Sequence, residues 1–144
     1  MIDKAVTLYN TITPKLTYAG DALLLAMRLW IADIFWKSGL TKLDDWETTL
    51  FLFEEEYQVP VLPTEFAAYS ATFFELAMPI LLLLGLASRL ATLPLIAMTA
   101  VIQFTYLQHE QHYYWAFLLF AILSFGPGRA SLDAFIQRHF AKKA

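Results

Sequence analysis

Apolar residues come in four long blocks along this chain, over 22–40, 66–86, 90–107 and 113–125. A bilayer core takes about 20 predominantly apolar residues in helical form, and the last block reaches that length only by borrowing residues from 109 onward. Short breaks at 87–89 and 108–112 make antiparallel hairpins of blocks two and three and of blocks three and four. The pattern predicts an all-α fold: a single domain over 1–144, built as an integral membrane antiparallel four-helix bundle.

The segments between and after the blocks have a pattern of their own. Trp46, Leu50, Phe53 and Tyr57 fall at i, i+4, i+7 and i+11, one face of an amphipathic helix in the loop between blocks one and two. The sequence VPVLP over 59–63 ends that helix, because proline removes a backbone donor and restricts its predecessor. Thr64 then reads as the N-cap of block two. Gly126-Pro127-Gly128 stops block four. After it, Ser131 caps a short tail with Leu132, Phe135, Ile136 and Phe140 on one face. With Arg138, Lys142 and Lys143, that tail suits an interfacial helix at an anionic leaflet.

Composition agrees with a membrane protein. Hydrophobic residues make up 58% and charged residues 16% of the chain, against roughly 45–50% and 25% in an ordinary soluble domain. Ten Lys and Arg with a net charge of −3 exclude nucleic acid as a partner. The absence of cysteine excludes thiol exchange, thiolate metal sites and iron–sulfur clusters in this chain. Residues 1–20 lack an early apolar core and a small-residue cleavage site, so insertion is expected to use uncleaved spans. Lys4, Lys15, Arg89, Arg129, Arg138, Lys142 and Lys143 collect on one side of the blocks, and only Lys37 and Lys42 on the other. The positive-inside rule therefore places both termini in the cytoplasm of a bacterial inner membrane and the acidic loop outside.

The first block carries charges that lipid does not tolerate: Arg28, Asp33 and Lys37. At 100° per residue Asp33 and Lys37 share a face one turn apart, whereas Arg28 points about 140° away from Asp33. The pair can neutralise itself near the outer leaflet or serve a site there. Arg28 needs a partner on another helix. It sits roughly 10 Å from the inner end of block one, and Glu75 roughly 16 Å from the inner end of block two, so an Arg28–Glu75 clasp is expected, read as structural or as part of a ligand site. Block three carries a stripe of Thr92, Thr99, Gln103 and Tyr106, read as interhelical hydrogen bonding or as a pocket wall. His109 and His112 lie in the tight outer turn; a metal site needs further ligands that this face lacks, so none is assigned.

Several short motifs together resemble the DoxX family of small four-span bacterial membrane proteins. They are Arg28-Leu29, KSGLTKL (37–43), FELAMPILLLLGLASRLA (74–91), HYYWA (112–116) and GPGRASLD (126–133). The resemblance implies an up-down four-helix bundle in the inner membrane. It also implies association with a redox system, in the manner of the small subunit of a thiosulfate:quinone oxidoreductase.

On that resemblance the leading reading is a redox-associated subunit that binds quinone in a pocket open toward the outer leaflet and anchors or serves a partner oxidoreductase. The pocket is expected to draw on Asp33, Lys37, Glu75, Gln103, Tyr106, His109 and His112. Lys37, Gln103 and a histidine would donate to the quinone carbonyls, and Asp33 or Glu75 would handle protons. The other reading is a non-enzymatic membrane scaffold or small-solute carrier whose polar residues only stitch the helices together. Whether the chain is itself an enzyme stays open, as does its oligomeric state, a homo-oligomer included.

Overall fold

The computed structural model describes residues 2–140, all of whose regular elements are helical. Six α-helices follow one another: α1 (Ile2–Asp44), α2 (Trp46–Leu52), α3 (Thr64–Leu84), α4 (Ser88–Val101), α5 (Glu110–Phe125) and α6 (Leu132–Phe140). π-helical turns at Phe53–Tyr57 and Ile102–Tyr106 prolong α2 and α4. The four long helices pack α1 on α3, α3 on α4, α4 on α5, and α5 back on α1. Their shared core is made of Ile31, Ala32 and Phe35 from α1, Leu82 from α3, Ala91 and Leu95 from α4, and Leu119 and Ile122 from α5.

The second, third and fourth apolar blocks correspond to α3, to α4 with its π turn, and to α5. The first is only part of α1, whose 43 residues reach about 65 Å at the usual helical rise. The helix runs on in both directions because nothing in 2–21 terminates it. Pro14 removes one backbone donor. The hydroxyls of Thr11, Thr13 and Thr17 bond back to carbonyls one turn earlier at 2.8, 2.8 and 3.1 Å. Among the described residues two helices, 64–84 and 88–106, are long and apolar enough to cross a membrane. In α1 the charges Arg28, Asp33 and Lys37 interrupt the apolar run, and α5, with 16 residues, is short of the usual span length.

The amphipathic loop helix forms where its pattern places it. Asp45 caps α2, its carboxylate accepting from the Thr48 amide at 3.0 Å and the Thr48 hydroxyl at 2.6 Å. These hydrogen bonds favour the ionised form and hold the Asp45 carboxyl below its usual range. Trp46, Leu50, Phe53 and Tyr57 gather with Ala67 and Ala68 of α3 in a second apolar cluster. The expected cap at Thr64 is not made: Thr64 is the first residue of α3, Pro63 holds the cap position, and no side chain caps the helix. Ser131 does cap α6, accepting from the Ala134 amide at 3.2 Å. Lys142 and Lys143 of the expected basic tail lie outside the described residues.

Candidate ligand-binding site

The site begins with a close approach of two helices. A Cβ at Gly39 would lie 2.8 Å from Leu76 Cδ2 and 3.1 Å from Glu75 Cβ, so glycine is what lets α1 close on α3 here. The approach carries Ser38 and Lys42, one turn apart on α1, onto the Glu75 carboxylate. Lys42 Nζ is 2.7 Å from Glu75 Oε2 and donates to Ser38 Oγ at 3.0 Å, while Ser38 Oγ donates to Glu75 Oε1 at 3.2 Å. The three groups close a triangle from which water is nearly excluded, with side-chain exposure of 15% for Lys42 and 2% for Glu75.

Beside the triangle lies a cavity of about 330 Å³. Its walls are apolar: Ala67, Ala71 and Phe74 from α3, and Pro94, Met98 and Val101 from α4. Phe53, Val59 and Leu62 close it from the segment between α2 and α3, and Tyr57 and Tyr106 meet at its rim with ring centroids 4.6 Å apart and planes at 73°. The remaining wall hydroxyls are already spent on their own helices, Ser70 on the Ala67 carbonyl and Thr105 on the Val101 carbonyl. Burial, ahead of its charged neighbours, keeps the Tyr57 hydroxyl protonated above its ordinary range. The cavity is thus an apolar chamber with one cation–carboxylate pair in its wall and two phenols at its edge.

Of the residues expected to form a pocket, Glu75 and Tyr106 line this cavity. The others lie elsewhere. Asp33 and Lys37 pair with each other at 2.7 Å on the outward side of α1, at 58% and 71% side-chain exposure. Gln103, His109 and His112 form a separate knot at the α4–α5 turn. Gln103 Oε1 accepts from the His109 amide at 3.1 Å and lies 2.8 Å from His112 Nδ1. His109 Nδ1 accepts from the Gln111 amide at 3.2 Å, and the His112 ring packs on Trp115 at 5.0 Å. Thr92 and Thr99 donate to carbonyls of their own helix, so neither hydroxyl is donated to a neighbouring helix. Lys42, Ser38 and Tyr57 were not expected at the site. The signal for the first two was their i,i+4 spacing on α1, which ending the span at residue 40 concealed.

The expected Arg28–Glu75 clasp does not form. Gly39 is level with Glu75, and Arg28 lies eleven residues earlier on α1, about 16 Å toward the other end. Arg28 is buried, at 1% exposure, and its Nη2 donates to the Ala130 carbonyl at 2.6 Å, with the charge of Asp133 nearby. Asp133 accepts from the Ala87 and Ser88 amides at 2.8 and 3.1 Å, satisfying donors at the start of α4 that have no partner within the helix. Its own amide donates to the Gly85 carbonyl at 2.9 Å. Arg129 pairs with Asp21 at 2.6 Å and covers the Tyr18 ring at 4.7 Å. The segment GPGRASLD is therefore a latch that ties α6 to α1 and to the α3–α4 turn.

The family model for DoxX matches residues 23–108. That range holds the whole triangle, the cavity walls and Arg28, and stops short of the latch segment. No curated protein and no solved structure matches the chain.

Proposed function

As the chain belongs to the DoxX family, a family of membrane proteins associated with redox systems, we propose that it is a four-span inner-membrane subunit that holds a quinone head group in the cavity beside Lys42 and Glu75. The observation that carries this reading is the placement of the Lys42–Ser38–Glu75 triangle in an otherwise apolar chamber. A quinone presents carbonyl oxygens, which only accept hydrogen bonds, and an apolar tail. Lys42 has three N–H donors; Ser38 takes one, and the ammonium meets Glu75 as an ion pair. A donor is left for a ligand oxygen. Tyr57 at the rim offers a hydroxyl to a second carbonyl, while the Tyr106 hydroxyl is held by the Glu56 carboxylate, and Phe53, Phe74 and Met98 suit the tail.

Bound quinone supplies two-electron, two-proton redox chemistry. The protein's part is to orient the ring and to hold a proton between Lys42 Nζ and the Glu75 carboxylate. Without cysteine the chain has no thiol or iron–sulfur relay, so the electrons belong to a partner oxidoreductase that this subunit serves. In this topology α1, α3, α4 and α5 are the spans of an antiparallel bundle and both termini are cytoplasmic. Arg89, Arg129 and Arg138 lie at the inner face, the latch and α6 rest on the inner leaflet, and α2 closes the cavity from outside.

The test is to purify the full chain and assay the organic extract for ubiquinone or menaquinone by absorbance. A short-chain quinone analogue should raise the melting temperature of the wild type and of Lys37→Ala, and should leave that of Lys42→Ala and Glu75→Gln unmoved. An extract without quinone, together with no thermal shift in the wild type, would instead favour a membrane scaffold in which the triangle only joins α1 to α3.

A further inference from the structure

Helix α1 keeps one heptad register from end to end, with a seam of mostly apolar a and d positions. Written as heptads with Ile2 at a, the b, c and f positions include Arg28, Ile31, Ala32, Phe35 and Lys42, which turn into the helical bundle. The opposite, a/d seam is exposed throughout. Its a positions are Ile2, Tyr9, Leu16, Leu23, Trp30 and Lys37, and its d positions from the second heptad on are Ile12, Ala19, Ala26, Asp33 and Leu40, all exposed. The seam continues over residues 2–20, which are exposed nearly throughout and beside which no other helix packs among the described residues. There the b, c and f positions turn polar, with Lys4, Asn10, Thr11 and Thr17, while a and d keep Ile2, Tyr9, Ile12 and Leu16 apolar. Pro14 falls at f, away from the seam.

A second observation comes from the membrane part. Asp33 lies eleven residues into the 22–40 span, about 16 Å from its inner end and so still within a bilayer core of about 30 Å. Asp33 and Lys37 nevertheless point outward at 58% and 71% exposure. Charges at that depth face protein or water rather than lipid. Both occupy the seam, at d and at the following a.

We infer that the α1 seam is the contact between two copies of this chain, packed in parallel about a two-fold axis. The occupant is a second copy because the seam is self-complementary. A d residue packs against the next a residue of its partner in a parallel two-stranded coil, so each Asp33 carboxylate sits between its own Lys37 and the partner's. Four charges then neutralise one another inside a protein contact, and the same seam covers Leu16, Ile12 and Tyr9 in the cytoplasm. The large residues at a and the small Ala19 and Ala26 at d allow close helix approach, as small residues do at membrane helix contacts. The inference rests on the reading of α1 as a span.

The chain has no cysteine, so single-cysteine variants of the full chain test this directly in isolated membranes. Under copper-phenanthroline oxidation, Ala19→Cys and Ala26→Cys should give disulfide-linked dimers at least five-fold more than Phe117→Cys, a control on α5 that is 72% exposed. Adding Asp33→Lys to Ala26→Cys should cut the dimer yield several-fold, and adding Lys37→Asp as well should restore it. Equal yields at seam and control positions overturn the proposal, as does linkage to a different protein. A water-soluble maleimide separates the two levels of failure. If Ala26→Cys is neither linked nor labelled, α1 spans the membrane and the seam faces lipid. If it is labelled freely, α1 does not span, and the four-span reading falls with the dimer.

Discussion

Lys42 Nζ stands 2.7 Å from Glu75 Oε2 in a wall otherwise made of carbon, and Glu75 has only 2% of its side chain exposed. A buried pair of this kind is poor evidence of net stability, because desolvating two charges offsets most of their attraction. Removing one partner is a different matter, since the other is left buried and uncompensated. Lys42→Met should therefore cost about 3 kcal/mol or more, and the double variant Lys42→Met with Glu75→Met should return to within about 1 kcal/mol of the wild type. Denaturant unfolding in a fixed detergent reads both. An unchanged Lys42→Met would mean the carboxylate has another counterion.

The latch can be opened at either of two residues. Arg28→Met removes the donor to the Ala130 carbonyl, a charged hydrogen bond that contributes about 2 kcal/mol. Gly85→Ala adds a methyl group that runs into Arg28 Nη1 at a residue whose φ is +66°, a conformation that disfavours side chains. Both variants should expose Arg129 and Arg138 to trypsin well before the helical body is cut. Trypsin cutting at wild-type rates would place the hold on α6 elsewhere.

Gln103 serves the α4–α5 turn rather than the cavity. Gln103→Leu deprives the His109 amide and His112 Nδ1 of their shared acceptor, at a cost of about 2 kcal/mol, whereas Gln103→Glu keeps an acceptor and should retain most of the stability. Neither variant should change the thermal shift given by a quinone analogue, because Gln103 does not line the chamber. Loss of that shift in a folded Gln103→Glu protein would return this turn to the binding site.

Asp45 gives the covering helix a dependence on pH. Its carboxyl is held below the usual range by the Thr48 hydroxyl first and the Thr48 amide second. A group whose folded pKa is depressed lends stability above its unfolded pKa and loses it as pH falls through the folded one. The α2 cap should thus be intact near neutrality and lost below the ordinary carboxylate range. Amide exchange at Thr48 should speed up there in the wild type. Asp45→Ala should show fast exchange at every pH, and Asp45→Asn, which still caps, should lose the acid step.

Much of the architecture is legible in the order of residues, for a physical reason. Helical periodicity and apolar run length are local properties, so 66–86, 90–107 and 113–125 match α3, α4 with its π turn, and α5 to within a few residues. The loop helix could be read from Trp46, Leu50, Phe53 and Tyr57 alone, and the Ser131 cap from one side chain before an amphipathic run. Where α1 ends was less legible. Once apolar residues thin out after Leu40, only tertiary contact shows that the helix continues to Asp44 and puts Lys42 inside.

Which polar group meets which was decided between helices. Pairing Arg28 with Glu75 assumed a common depth, but depth depends on helix register, and the Gly39 contact with Leu76 and Glu75 sets that register. The true acceptor of Arg28 is a backbone carbonyl 102 residues away, and every residue has a carbonyl, so side-chain chemistry could not mark it out. Gln103 and the two histidines have the right donors and acceptors for a ligand, yet the π turn folds them onto each other. By itself the sequence determined an all-α chain of apolar helices with charges in the first apolar block, because hydropathy and periodicity act locally. The tertiary structure alone decided that Lys42 and Ser38 complete the site with Glu75, because the spacing between α1 and α3 is set by how closely their backbones can pack.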